Sequence, residues 1–381
     1  MRIQLPDYNN CCVNLMNSVA KYFGLEPKHP TLPLVDAELL RGYKNVVVIL
    51  LDGLGQSILM RYLPRDSFLR KNFAQELSAV YPSSTVPSTV SFKTGLNPVE
   101  HAWWGHFMYF KGLGQTINVY TNNDAFSRKS VALPDVAHRV IPYANILDLI
   151  TEKNSNVHAY NLCNAEARDN FGVSQVTYND FTEMAEFVKT LVSLDGKRLI
   201  YAYHENPDTI LHKLGHNASE ISKVLNDIDC TLADLCTSCK DTLFLITADH
   251  GQTELKESRD ITDYPDFCNT LIQMPTGCTR CASFNVKAGQ EKNFLNLAKK
   301  YFGDKFAIIS KKEAVNNKLF GEGRPHPELG NLLGDYLLCA TSDCNLTYST
   351  LYGKPAMQPL GIHGGLTVEE MRVPLIIYGN K

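Results

Sequence analysis

Short runs of consecutive apolar residues alternate along the chain with stretches in which apolar residues recur every third or fourth position. The first clear run, Asn45-Val46-Val47-Val48-Ile49-Leu50-Leu51, is continuous and β-branched, as a strand covered on both faces requires. It stops abruptly at Asp52-Gly53. Residues 54–63 read as the helix that follows, closed by Pro64, which is the rhythm of a parallel sheet. The same pattern predicts further strands at 156–160, 198–203, 242–246, 336–340 and 373–378. Helical spacing joins Cys12, Leu15, Met16, Val19, Ala20 and Phe23, and predicts helices at 146–151, 181–191 and 221–235. The fold class expected is α/β, a three-layer sandwich with a mainly parallel central sheet.

Three segments follow from where that rhythm holds. Residues 1–40 are a lead-in helix with a proline-rich connector, residues 41–252 plus 361–381 form the α/β core, and residues 253–360 form an inserted smaller lobe. In the last of these the alternation weakens, and Gly, Pro, Asn and Cys become frequent.

Composition narrows the function classes. With 381 residues, 44% hydrophobic, 20% charged and a formal net charge of −3, the chain can bury a large core and offers no surplus of basic residues for bulk nucleic-acid binding. No apolar run approaches the roughly 20 residues that span a bilayer, so no membrane partner is expected. The N-terminus meets Pro6 and Asp7 where a signal peptide needs its apolar core, and the expected location is cytoplasmic. Eleven cysteines, an odd number, fit reduced thiols better than a disulfide framework. The pairs Cys236/Cys239 and Cys278/Cys281 lie farther apart than the roughly 15–20 residues of a zinc ribbon, so free thiols are expected there too.

The candidate chemistry sits at the ends of the apolar runs. Asp249 and His250 follow Leu243-Phe244-Leu245-Ile246-Thr247-Ala248, and Gly251 lets the backbone turn beside them. Asp gives a hard oxygen and His a borderline nitrogen, a pair suited to a transition metal. Asp208 and His212, spaced i, i+4 just after Pro207, point from one face of a first helical turn. His363 lies in Gly361-Ile362-His363-Gly364-Gly365. If Asp52, Asp249 and His250 held one ion and Asp208, His212 and His363 another, each would have three protein ligands and an open position. Thr85, in Pro82-Ser83-Ser84-Thr85-Val86-Pro87-Ser88, precedes a proline at what reads as a helix start, where backbone N–H groups favour an anion. Trp103, Trp104 and Tyr109 offer either core packing or a wall for a planar ring.

Taken together these stretches resemble the alkaline phosphatase superfamily, and within it the type I phosphodiesterase/nucleotide pyrophosphatase branch. The resemblance rests on Leu51-Asp52-Gly53, on residues 82–88, on Thr94-Gly95-Leu96-Asn97-Pro98-Val99-Glu100-His101, on Pro207 to His212, on Thr247 to Gly251 and on His363-Gly364, all in the family's order. It implies an alkaline phosphatase-like fold, Thr85 as nucleophile, and two divalent ions, Zn2+ foremost and Mn2+ as alternative, on the two ligand sets above. It also implies a small phosphorylated substrate, a nucleotide among the candidates, hydrolysed at a phosphodiester or phosphoanhydride bond through a phospho-threonine intermediate. Three residues after its nucleophile the branch's pyrophosphatases carry an Asn that donates to a phosphate oxygen; Ser88 stands there and can donate one hydrogen bond. The alternatives are a phosphomonoesterase or phosphonate hydrolase of the same superfamily, and a metal-stabilised binding protein without catalysis.

Overall fold

The computed structural model describes residues 2–164, 174–348 and 358–381. Among them a seven-stranded sheet runs in the order Phe73–Ser78, Arg372–Asn380, Thr242–Thr247, Asn45–Leu51, Lys197–His204, Val157–Asn164, Gln175–Tyr178. All pairings from Thr242–Thr247 to Gln175–Tyr178 are parallel, while Arg372–Asn380 runs against both of its neighbours. The chain is thus a mixed α/β protein with a large, mostly parallel central sheet. All seven residues of Asn45–Leu51 and all six of Thr242–Thr247 are buried, which explains the unbroken apolar stretches Val46 to Leu51 and Leu243 to Ile246: each strand lies inside the sheet with both faces covered.

Two groups of helices flank this sheet. Phe181–Ser193 packs on Ser219–Ser238, which also meets the short helix Phe68–Lys71; Cys12–Tyr22 packs on Thr85–Thr94 and on Pro33–Leu39. The long helix Ser219–Ser238 buries Ile221, Leu225, Ile228, Leu232 and Leu235, a stripe at helical spacing, and leaves its other face to solvent.

A second sheet of seven strands is antiparallel throughout. Its order is Phe306–Ser310, Tyr336–Ala340, Cys281–Phe284, Thr276–Cys278, Phe107–Phe110, Gln115–Asn118, Asn123–Asp124. It joins two distant parts of the chain through the single register pair Gly277↔Phe107. Gly277, at φ +95°, makes that approach possible: a side chain there would run into the ring of Trp104 at 2.5 Å. Phe267, Phe284, Phe294 and Phe302 build a separate apolar core beneath this sheet. Of the stretch expected as an inserted lobe, residues 349–357 lie outside the described residues.

Candidate active site

Register explains why the acids meet. Leu50 lies opposite Thr247 and Leu51 opposite His204, so three neighbouring parallel strands release their next residues at one edge of the sheet. The Asp52 N–H donates to the His204 carbonyl at 2.9 Å, and the Asp208 N–H donates to the Asp52 carbonyl at 2.9 Å. Gly53 lets Asp208 come this close: at φ +71°, an added Cβ would stand 2.8 Å from the Asp208 Cβ. Asp208 and His212 share the helix Asp208–Leu214. Thr85 is the first residue of the helix Thr85–Thr94, which Ser84 precedes in extended conformation and Gly95 ends in the left-handed region at φ +64°.

These side chains converge. Thr85 Oγ1 lies 3.4 Å from Asp52 Oδ2 and 3.3 Å from His250 Nε2. His250 Nε2 is also 3.3 Å from Asp52 Oδ1 and 3.3 Å from Asp249 Oδ2. On the other side of Asp208, His212 Nε2 approaches Oδ2 at 3.1 Å and His363 Nε2 approaches Oδ1 at 3.8 Å. The His250 and His363 rings stack with centroids 3.8 Å apart. Among the described residues, two groups bring their ligand atoms within 4.8 Å of one another: Asp52 with Asp249 and His250, and Asp208 with His250 and His363. His250 therefore stands between the two, and His212 flanks the second group through Asp208. No cysteine belongs to either group, and all eleven cysteines are free.

The protonation pattern suits cations at both groups. His250 Nδ1 faces the Gly251 carbonyl at 3.0 Å, His212 Nδ1 the Gly361 carbonyl at 2.6 Å, and His363 Nδ1 the Ser83 carbonyl at 3.2 Å. Each Nδ1–H donates to a main-chain oxygen, which leaves each Nε2 lone pair turned towards the carboxylates. Asp52 Oδ1 and Asp249 Oδ2 are buried and receive no hydrogen bond. Lone pairs that converge without a donor between them are compensated by a positive ion, so the residues present fit a metal.

Electrostatics agree. Burial, and then the neighbouring Asp249, push the Asp52 carboxyl well above the usual carboxylate range. Burial likewise lifts Asp249 to about 7, against the N–H of Gly53 and reinforced by the charge of Asp208. For Asp208 burial acts in the same direction, but the His363 and His212 rings outweigh it and hold the carboxyl below its ordinary value.

Two residues that carry no sequence signal of their own hold these carboxylates. The Tyr203 hydroxyl donates to Asp52 Oδ2, and Gln252 Nε2 donates to Asp208 Oδ1. Gln252 directly follows the Asp-His-Gly triplet, and Tyr203 is the last residue of a predicted strand, which are the only cues to them. Ser88 is fully buried and donates its hydroxyl to the Asp249 carbonyl at 3.0 Å, so it braces the loop that carries the acid. Thr85 and the six ligand candidates are brought together here.

A cavity of about 490 Å3 opens over Thr85, Asp52 and Asp208. Trp103, His138 and Tyr143 line it, with the Trp103 and His138 ring centroids 4.5 Å apart and those of Trp103 and Tyr143 5.6 Å apart. Lys93 and His106 line it as well. Burial and the nearby His363 lower the His106 imidazole to about 4. Trp104, in contrast, is buried in the core against Gly277.

The family model for type I phosphodiesterase / nucleotide pyrophosphatase matches residues 46–321. The chain belongs to this family. Its fold is similar to that of murine ectonucleotide pyrophosphatase / phosphodiesterase 5, at a TM-score of 0.66 and 18% identity over 88% of each chain. An inactive threonine-to-alanine variant of that murine protein, in complex with AMP, superimposes at a TM-score of 0.64 and 18% identity, over 88% of this chain and 87% of that one. Phosphonoacetate hydrolase from Sinorhizobium meliloti 1021, in complex with phosphonoacetate, matches at 0.65 and 17% identity, over 88% of this chain and 90% of that one. No curated protein sequence matches this member of the phosphodiesterase family.

Proposed function

We propose that this chain hydrolyses phosphodiester or nucleotide phosphoanhydride bonds, with two divalent cations and a phospho-threonine intermediate on Thr85. The observation that carries the reading is the position of Thr85 Oγ1. It lies at a helix N-terminus, 3.4 Å from Asp52 Oδ2 and 3.3 Å from His250 Nε2, and lines the cavity. Asp52, Asp249 and His250 would hold one cation and Asp208, His212 and His363 the other, with Zn2+ preferred and Mn2+ as alternative. Bound there, the two ions supply Lewis-acid charge that favours an ionised hydroxyl and neutralises phosphate oxygens.

The chain's own groups perform the transfer. Thr85 Oγ1 attacks phosphorus in line, the bond from phosphorus to the leaving oxygen breaks, and water then cleaves the Thr85 phosphoester and restores the hydroxyl. Main-chain N–H groups at the start of Thr85–Thr94 face the phosphate's negative charge. Tyr203 and Gln252 keep Asp52 and Asp208 aimed.

Cavity size favours a nucleotide-like substrate over a small phosphonate. About 490 Å3 falls within the ~300–1,000 Å3 typical of sites for drug-sized ligands, and a two-carbon phosphonate would leave most of it unfilled. The aromatic lining from Trp103 and Tyr143 and the AMP bound by the inactive murine variant support the same choice. Thr85→Ala tests the mechanism. Turnover of bis-p-nitrophenyl phosphate and of a dinucleotide should vanish while two ions per chain persist by elemental analysis, and parental turnover would refute the covalent route. Phosphonoacetate assayed alongside should be the poorer substrate of the parent.

A further inference from the structure

We infer that the buried ion pair Arg280–Glu370 is a positioning device that ties the second sheet to both proposed metal groups; the inference rests on the two-metal reading above. Arg280 occupies the tip of the hairpin between Thr276–Cys278 and Cys281–Phe284, far in sequence from every ligand, and is fully buried, as is Glu370. Its Nε donates to Glu370 Oε1 at 2.6 Å, its Nη2 to Oε2 at 2.6 Å, and its Nη1 to the Cys344 carbonyl at 2.6 Å. The guanidinium thus grips the carboxylate in bidentate fashion while anchored to a third segment.

Glu370 passes that grip on to the ligands along two routes. Its Oε1 accepts from the Gly365 N–H at 2.8 Å, and its Oε2 accepts from the Thr367 hydroxyl at 2.7 Å. This fixes the turn after His363. The same turn is held from below, since the Ser83 hydroxyl donates to the Gly365 carbonyl at 2.7 Å and the Ser83 carbonyl accepts from His363 Nδ1 at 3.2 Å. Along the second route the Glu370 main-chain carbonyl accepts from the Gly251 N–H at 2.8 Å, and the carbonyl of Gly251 orients His250 Nδ1. Space is as restricted as polarity. An added Cβ at Gly364 would stand 2.6 Å from Cys278 Sγ, and one at Gly365 would stand 2.7 Å from Arg280 Nη2. One guanidinium therefore sets the tilt of His363 and, through Glu370, the turn behind His250.

A buried charge pair of this kind is often no more stabilising than well-packed apolar residues, whereas outer-shell partners of metal ligands commonly tune affinity ~10–100-fold. That equivalence holds for the pair as a whole; loss of one partner strands a buried charge, so the test needs a variant that keeps the charge and a separate reading of the fold. Arg280→Lys keeps the charge but cannot hold both Glu370 oxygens and the Cys344 carbonyl. Metal-stripped parent and variant would be titrated with Zn2+ and with Mn2+ by calorimetry, with circular dichroism and thermal unfolding recorded in parallel. A folded Arg280→Lys chain whose apparent affinity falls at least tenfold supports the inference; a folded variant that binds two ions as the parent does overturns it. If Arg280→Lys does not fold, Glu370→Gln is read in the same way, and failure of both to fold overturns the inference in favour of a purely structural role. Absence of ion binding by the parent would overturn the two-metal reading and this inference with it, an outcome distinct from a loss confined to the variants.

Discussion

Asp249→Asn should stabilise the metal-stripped protein while it weakens the metal response. In the parent, Asp249 Oδ1 accepts from the N–H groups of Gly53 at 3.1 Å and His250 at 2.9 Å, and an Asn oxygen can keep both bonds. Oδ2 has no donor and shares its surroundings with Asp52. An acid lifted by burial from 3.8 to about 7 costs the ionised fold ~4 kcal/mol relative to the unfolded chain, at ~1.4 kcal/mol per tenfold change in affinity for the proton. The sign follows from proton counting: the folded state holds this proton more tightly than the unfolded state, so the associated stability is present below 3.8 and is lost as pH rises through about 7. Roughly half of the loss, ~2 kcal/mol, falls between pH 5.5 and 8. Groups remote from the site act on parent and variant alike, and Asp52, raised in part by the Asp249 charge, is relieved in the same direction, so the difference between their urea unfolding free energies in chelator reports on the Asp249–Asp52 pair. That difference should grow in favour of Asp249→Asn by ~2 kcal/mol over this interval. Added Zn2+ should then raise the parent's midpoint at pH 8 by more than the variant's, which keeps only the group of Asp208, His212 and His363. A variant less stable than the parent in chelator at pH 8, or a difference that does not move with pH, would refute the account.

Two further outcomes are expected. Tyr203→Phe removes the donor to Asp52 Oδ2 without altering the ring, and should weaken metal affinity ~10–100-fold at unchanged fold; a titration that gives parental affinity would show that Tyr203 only fills space. His101 is buried, takes the Trp103 N–H at 3.0 Å on Nδ1, and is lowered by burial to about 3, so the unfolded chain binds its proton more readily. Stability present above pH 6.5 should therefore fall by ~2 kcal/mol between pH 6.5 and 5, and His101→Asn should reduce that slope, as urea unfolding at the two pH values would reveal.

The sequence made the ligands readable because the physics of a buried parallel strand leaves a plain trace. Val46 to Leu51 and Leu243 to Ile246 are unbroken apolar runs because both faces are covered, and polar residues gather at the ends, where the strand leaves the sheet. Asp52 and Asp249 stand out for that reason. Phe73–Ser78, an edge strand with only its last two residues buried, has no such run and leaves no comparable trace in the sequence. Nor does anything local foretell that Phe107 lies beside Gly277, since one register pair imposes no periodicity on either segment.

The residues that hold the ligands escape for a related reason. Tyr203 reaches Asp52 across 151 positions and Arg280 reaches Glu370 across 90, so each partner is chosen by register or by the docking of two sheets, not by its neighbours in sequence. Register supplies the missing information for Tyr203. Once Leu51 is placed opposite His204, the Asp52 N–H meets the His204 carbonyl, and the acid is brought within reach of the preceding tyrosine. No comparable shortcut exists for Arg280. Its contact with Glu370 depends on how the antiparallel sheet seats against the 361–372 segment, which makes the arrangement of the two sheets, and not the ligand motifs, the determinant of how firmly His363 is held.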